Sequence, residues 1–146
     1  MQKRLRVFVD TSALLAGLNS PSGAAGTMLA ALLADKQSFE IVISKQVVEE
    51  AERNIRRKFP SLTDAWLSFV MNEPLIAPDA TIAEIRKAFK VIGTDDAPIF
   101  ASAVKANVDV LVTWNTRDFM KEKVLQMSPF SILTPGDFLK QFVRKI

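Results

Sequence analysis

The chain of 146 residues contains no histidine and no cysteine. Without cysteine there are no disulfides, no thiolate metal sites and no cysteine nucleophile, which suits a reducing compartment. Without histidine there is no Ser-His-Asp relay, no imidazole general base and no His-ligated zinc. Any catalysis must come from carboxylates, lysines, hydroxyls or a bound cofactor. Long apolar runs are also missing. No stretch approaches the ~20 residues that span a bilayer. The basic start Met1-Gln2-Lys3-Arg4 runs straight into a strand-like segment, without the apolar stretch and cleavage site of a signal peptide. The expected location is the cytoplasm, with no membrane contact.

What is present is ordinary for a globular protein: 49% hydrophobic and 24% charged residues. At this length roughly two-thirds of the unfolded surface can be buried, so no staple is needed. The net charge of +3 and a pI near 9.3 are compatible with a nucleic-acid partner without specifying one. No repeat, low-complexity tract or linker divides the chain, and residues 1–146 are expected to form one domain.

The apolar pattern predicts strands over 5–9, 39–43, 108–113 and 130–133, with a poor, short one over 75–77 between Pro74 and Pro78. Helices are predicted over 13–17, 24–35, 62–71, 82–89 and 135–143. Ser44 stands where an N-cap should open a helix to Lys58, and Pro60 ends it. Thr94-Asp95-Asp96-Ala97-Pro98 opens another helix, to about Asn107, where a first-turn proline costs no hydrogen bond. Strands alternate with helices, and the best strands are apolar on both faces. That predicts a three-layer α/β/α sandwich with a central parallel sheet.

In such sheets ligands bind beyond the carboxyl ends of the strands. Asp10 follows the first strand, and Thr113, Asn115 and Asp118 follow the 108–113 strand. Glu49 and Glu50 lie in the helix after the second strand, and Asp95 and Asp96 open a later helix. Converging carboxylates without His or Cys would bind a hard cation, Mg²⁺ or Mn²⁺, suited to phosphodiester hydrolysis. Each acid also has a plain structural role open to it. Asp10 could be a turn residue, one of Asp95 and Asp96 a cap, and Asp118 a turn cap. Glu49 and Glu50 flank the Val47-Val48-Ala51-Ile55 stripe almost symmetrically, so periodicity does not choose between them.

Four segments taken together resemble the PIN domain family, in its prokaryotic toxin–antitoxin branch. They are Val7-Phe-Val-Asp10-Thr-Ser-Ala-Leu-Leu, Ile43-Ser-Lys-Gln-Val-Val-Glu-Glu50, Asp96-Ala-Pro-Ile-Phe-Ala-Ser-Ala-Val and Leu111-Val-Thr-Trp-Asn115-Thr-Arg-Asp118-Phe. The resemblance implies a parallel sheet of about five strands and a Mg²⁺- or Mn²⁺-dependent ribonuclease cutting single-stranded RNA. The family's acids fall on Asp10, Glu50 and Asp96, with Asp118 as a fourth catalytic position and Asp10, Asp96 and Asp118 as metal ligands. Asn115 stands where many members carry an aspartate. Ser12, Thr113 and Asn115 then look like supports for the carboxylates. The resemblance also implies a small antitoxin partner.

Arg117 and Lys121 are candidates to grip RNA phosphates, whereas Arg53, Arg56, Arg57 and Lys58 read as a solvated helix face. Trp66 and Phe69 read as packing rather than base stacking, and their helix is a candidate homodimer surface. The competing reading is a weakened domain that binds RNA or a partner without cutting, favoured by Asn115. A phosphotransfer receiver lacks its middle-strand acceptor and late lysine here. An aspartyl phosphatase would need an acid where Ser12 stands.

Overall fold

The computed structural model describes residues 3–143. The parallel sheet has five strands: β1 (Leu5–Val9), β2 (Phe39–Ile43), β3 (Leu75–Ile76), β4 (Val110–Val112) and β5 (Ser131–Leu133), in the order β3-β2-β1-β4-β5. Helices pack on the sheet, and its centre explains the apolar runs. Val7, Phe8 and Val9 of β1 and Val110, Leu111 and Val112 of β4 are all buried, because both faces of these strands are covered. Val7 pairs with Ile41 on one side and Val110 on the other. The chain leaves β1 toward β2 and later returns on β1's other flank as β4. The order therefore reverses between β1 and β4, and a crevice opens beyond their carboxyl ends.

The helices α1 (Thr11–Asn19) and α2 (Ala24–Ala34) join β1 to β2. They approach closely enough that a Cβ on Gly17 would collide with Leu29, and the loop between them folds back so that one on Gly26 would collide with the Pro21 backbone. α3 (Lys45–Lys58) starts on Ser44, whose Oγ accepts the Val47 N–H at 3.2 Å. It buries Val47, Ala51 and Ile55 and leaves Arg53, Arg56, Arg57 and Lys58 exposed. A 3₁₀ turn over Pro60–Leu62 leads into α4 (Thr63–Val70), where Trp66 and Phe69 stack with ring centroids 6.0 Å apart. Both are buried, and the Trp66 indole donates to Glu52 at 3.3 Å.

α5 (Ile82–Ile92) opens on a reciprocal Thr81/Glu84 capping box and closes on Gly93, whose φ of 68° suits a glycine stop. α6 (Ala97–Lys105) follows, with Pro98 in its first turn. Two helices absent from the sequence reading, α7 (Thr116–Phe119) and α8 (Glu122–Met127), fill the stretch between β4 and β5. The chain continues through α9 (Pro135–Phe138) into a π turn at Leu139–Val143, so the terminal helix expected over 135–143 changes its winding midway. Among the described residues no helix is long and apolar enough to cross a membrane.

The amino ends of the central strands carry charges of both signs. Arg6 Nε meets Glu40 Oε1 at 3.1 Å, and an Arg4 guanidinium nitrogen meets Glu40 Oε2 at 2.8 Å. Arg6 also donates through its side chain to Ala106 O at 2.6 Å and through its backbone N–H to Asp109 Oδ2 at 2.8 Å.

Candidate active site

The opposite, carboxyl end of the sheet gathers acids from four separate parts of the chain. Asp10 directly follows β1 and occupies the N-cap position of α1. Its side chain caps nothing there. Asp10 Oδ2 instead accepts from Thr113 Oγ1 at 2.8 Å and Ser12 Oγ at 3.1 Å. Those hydroxyls accept in turn from successive backbone amides after β4: Asn115 N–H to Thr113 at 2.9 Å and Trp114 N–H to Ser12 at 3.0 Å. Two main-chain donors are thus relayed through two hydroxyls onto one carboxylate oxygen, fixing the β4 exit against β1. Asp10 is only 4% exposed. Burial raises its pKa above the ordinary 3.8, against the opposing pull of the bonds from Thr113, the Thr11 backbone and Ser12.

Asp96 holds the N-cap position of α6 and likewise makes no capping bond. Its pKa is pushed up to about 7, first by burial and then by the charges of Asp10, Asp95, Asp118 and Glu50. One short stretch of space therefore feels all these acids. Asn115, the cap of α7, bridges two of them: its Nδ2 donates to Asp96 Oδ2 at 3.0 Å and to Asp118 Oδ2 at 3.1 Å. Its Oδ1 accepts the Asp118 N–H at 3.4 Å. The reversed amide would set a carbonyl against two carboxylates, so the acids select this orientation. The Asn115 carbonyl is thus turned to its own helix rather than toward the acids. Asp118 lies inside α7 rather than capping it. Its pKa is lowered, chiefly by the Asn115 amide and further by Arg117, whose Nε stands 3.5 Å from Asp118 Oδ1.

Glu50 faces the same crevice from α3, its Oε1 accepting from Thr11 Oγ1 at 2.6 Å. Glu49 and Asp95 are exposed, whereas Glu50 and Asp96 are partly buried. Burial and bonding thus separate the pairs that helical periodicity left equivalent. Thr11 is a contributor that sequence reasoning passed over. Its place directly after Asp10, at the start of α1, was the available signal. Arg117 and Lys121 are exposed near the rim in sequence, and Arg117 is engaged with Asp118.

The donor set is oxygen only, with negative charge packed tightly enough to hold protons on at least one carboxyl near neutrality. That chemistry fits a hard divalent cation. The acids are nonetheless held by hydroxyl and amide donors, and among the described residues no three acids close on one point as a ready-made ion cage.

A family model described as PIN domain matches residues 6–117. No curated protein matches significantly. Among solved structures, the chain is similar to PAE2754 from Pyrobaculum aerophilum, with a TM-score of 0.62 and 15% identity over 92% of this chain and 86% of that one. It is also similar to VapBC2 from Rickettsia felis bound to a DNA fragment from their promoter, with a TM-score of 0.60 and 18% identity over 88% of this chain and 97% of that one. At these identities the likeness is one of fold.

Proposed function

Because the chain belongs to the PIN domain family, we propose that it is a metal-dependent endoribonuclease that hydrolyses phosphodiester bonds of single-stranded RNA, acting as the toxin of a toxin–antitoxin pair. The observation that carries this reading is the gathering of acids at the strand-order reversal, where burial first and then the neighbouring charges push Asp96 up to about 7. Asp10, Asp96 and Asp118 would hold Mg²⁺ or Mn²⁺, with Glu50 beside them. When bound, the ion supplies charge neutralisation at the phosphate and a more acidic water. Glu50, which accepts from Thr11, would orient an attacking water and take up its proton. Thr113 and Ser12 fix the Asp10 carboxylate. Arg117 and Lys121 would bind flanking phosphates of the RNA.

The likeness to VapBC2, seen with promoter DNA, supports a partner protein encoded alongside as antitoxin. A homodimer is supported by α4 and its C-cap, where Leu67, Val70 and Met71 are exposed while Trp66 and Phe69 are not.

The test is cleavage of labelled single-stranded RNA with Mn²⁺ and with EDTA, comparing wild type with Asp96→Asn. Loss of at least about a hundredfold in rate is expected, since several kcal/mol of charge stabilisation disappear. Undiminished cleavage by the variant, or cleavage in EDTA, would sink the assignment. One observation favours a second reading, a domain that binds RNA uncut: the Asn115 amide supplies a neutral donor to Asp96 and Asp118 where a cation is wanted. Calorimetric Mn²⁺ titration separates the two, because the binding-only domain takes up the ion poorly.

A further inference from the structure

The chain has two tryptophans, and they have opposite surroundings. Trp66 is buried at 4% exposure and its indole N–H is bonded to Glu52. Trp114 is 44% exposed. An isolated exposed apolar residue normally calls for no explanation. The place of this one does.

Trp114 follows the Thr113 that bonds Asp10 and precedes the Asn115 that bonds Asp96 and Asp118. Neighbouring Cα atoms are about 3.8 Å apart, so the Trp114 backbone lies within one residue of both halves of the acid cluster. Its own N–H is held by Ser12 Oγ at 3.0 Å, and Ser12 reaches Asp10. The backbone carrying the indole is therefore tied to the same hydroxyl relay that positions the carboxylate. Large aromatic surface exposed on so rigid a mount loses little conformational entropy when a ligand covers it.

The company of Trp114 indicates the ligand. Thr113, Asn115, Thr116 and Arg117 around it in sequence are all polar, and the Arg117 side chain is 87% exposed. Among the described residues, other exposed apolar side chains fall elsewhere in sequence, near α4 and β3 (Leu67, Met71, Ile76) and on α5 and α8 (Phe89, Met127), with Phe59 and Val104 besides. A protein-binding anchor is expected in apolar company with a polar rim. An exposed aromatic residue three positions before an exposed arginine, directly flanked in sequence by residues that bond the acids, is a pairing suited to an unstacked base and its phosphate.

We propose that Trp114 is the base-stacking platform of this chain, holding a nucleobase of single-stranded RNA next to the phosphodiester presented to the acids. This rests on the ribonuclease reading and adds to it a substrate-contacting residue. Stacking on a π-face is tolerant of base identity, so the contact contributes affinity and placement rather than a strict sequence code.

The buried Trp66 makes the test direct, because only Trp114 is open to a quenching base. Oligo-uridine and oligo-adenosine of about ten nucleotides are titrated in EDTA into the full-length wild type, Trp114→Phe and Trp114→Ala, following tryptophan emission and, with end-labelled RNA, anisotropy. Quenching in wild type alone is expected. Trp114→Ala should weaken RNA binding about 5- to 150-fold, as stacking losses elsewhere do, and Trp114→Phe should recover most of it. In the Mn²⁺ cleavage assay the alanine variant should raise KM more than it lowers kcat. If wild type cleaves RNA but Trp114→Ala binds it unchanged, the stacking proposal is overturned and the nuclease reading stands. If wild type neither binds nor cleaves RNA, both fall. If RNA leaves the emission untouched while a protein partner shields the indole, Trp114 is a partner anchor and the proposal is wrong.

Discussion

The two ends of the parallel sheet carry the same kind of residue and treat it in opposite ways. At the amino end, Glu40 and Asp109 are met by Arg4, Arg6 and Lys3, and Arg6 ties three parts of the chain together. At the carboxyl end, Asp10, Glu50, Asp96 and Asp118 crowd one another, and the one ion pair recorded among them is the long Arg117–Asp118 contact. Acids matched with cations from their own chain are structural. Acids left mainly to hydroxyl and amide donors, in a crevice that the strand order opens, are the ones the proposed function assigns to a cation. The difference is not acid content but, among the described residues, how closely each acid is matched by a cation.

This contrast can be broken most forcefully at the carboxyl end. Thr113→Val removes the O–H donor to Asp10 and the acceptor of the Asn115 N–H together. RNA cleavage should fall about 10- to 100-fold, the usual consequence of losing a group that orients a metal-ligating carboxylate. Wild-type rates in a folded Thr113→Val protein would show that the relay is only structural. Next comes Arg6→Ala, which strips the amino end of its Glu40 and Ala106 bonds. Stability should drop by about 1–2 kcal/mol in urea denaturation, with cleavage within about twofold of wild type. A large loss of activity there would dissolve the distinction between the two ends.

The smallest effect is the pH response of the metal-free protein. Asp96 titrates near 7 when folded and at its ordinary 3.8 when unfolded. Between those values the folded state holds a proton that the unfolded state has released, so its contribution to stability is full below about pH 4 and is lost as pH rises toward 7. Melting in EDTA should therefore come a few degrees lower at pH 8 than at pH 5, on the order of 1 kcal/mol after solvent screening. Asp96→Asn should flatten the trend. A rise in melting temperature across that window that persists in Asp96→Asn would show that another group governs it.

Much of this was legible in the residues because the signals were local. The five strands come from apolar runs, and Ser44 announces α3 through a hydroxyl three residues from the amide it accepts. Where signals were too short, reading failed. α7 and α8 have four and six residues, less than periodicity needs to register. The helix expected to stop at Phe89 runs on to Ile92, and Gly93 at positive φ was the stop sign. Among site residues, Asp10 is suspect from its place at a strand end. Its bond to Thr113 spans 103 positions, and no local pattern encodes that. The direction of the Asn115 amide was equally hidden, since it depends on which carboxylates stand across from it.

That span of 103 residues also has a consequence in time. Chains fold from the amino terminus as they are synthesised. A chain interrupted before Thr113 has Asp10, Glu50 and Asp96 and the residues of β4, but no Thr113, Asn115 or Asp118 to bond those acids. A fragment ending there lacks the hydroxyl that orients Asp10, so under the ribonuclease reading RNA cleavage is expected only of a chain made past Asp118.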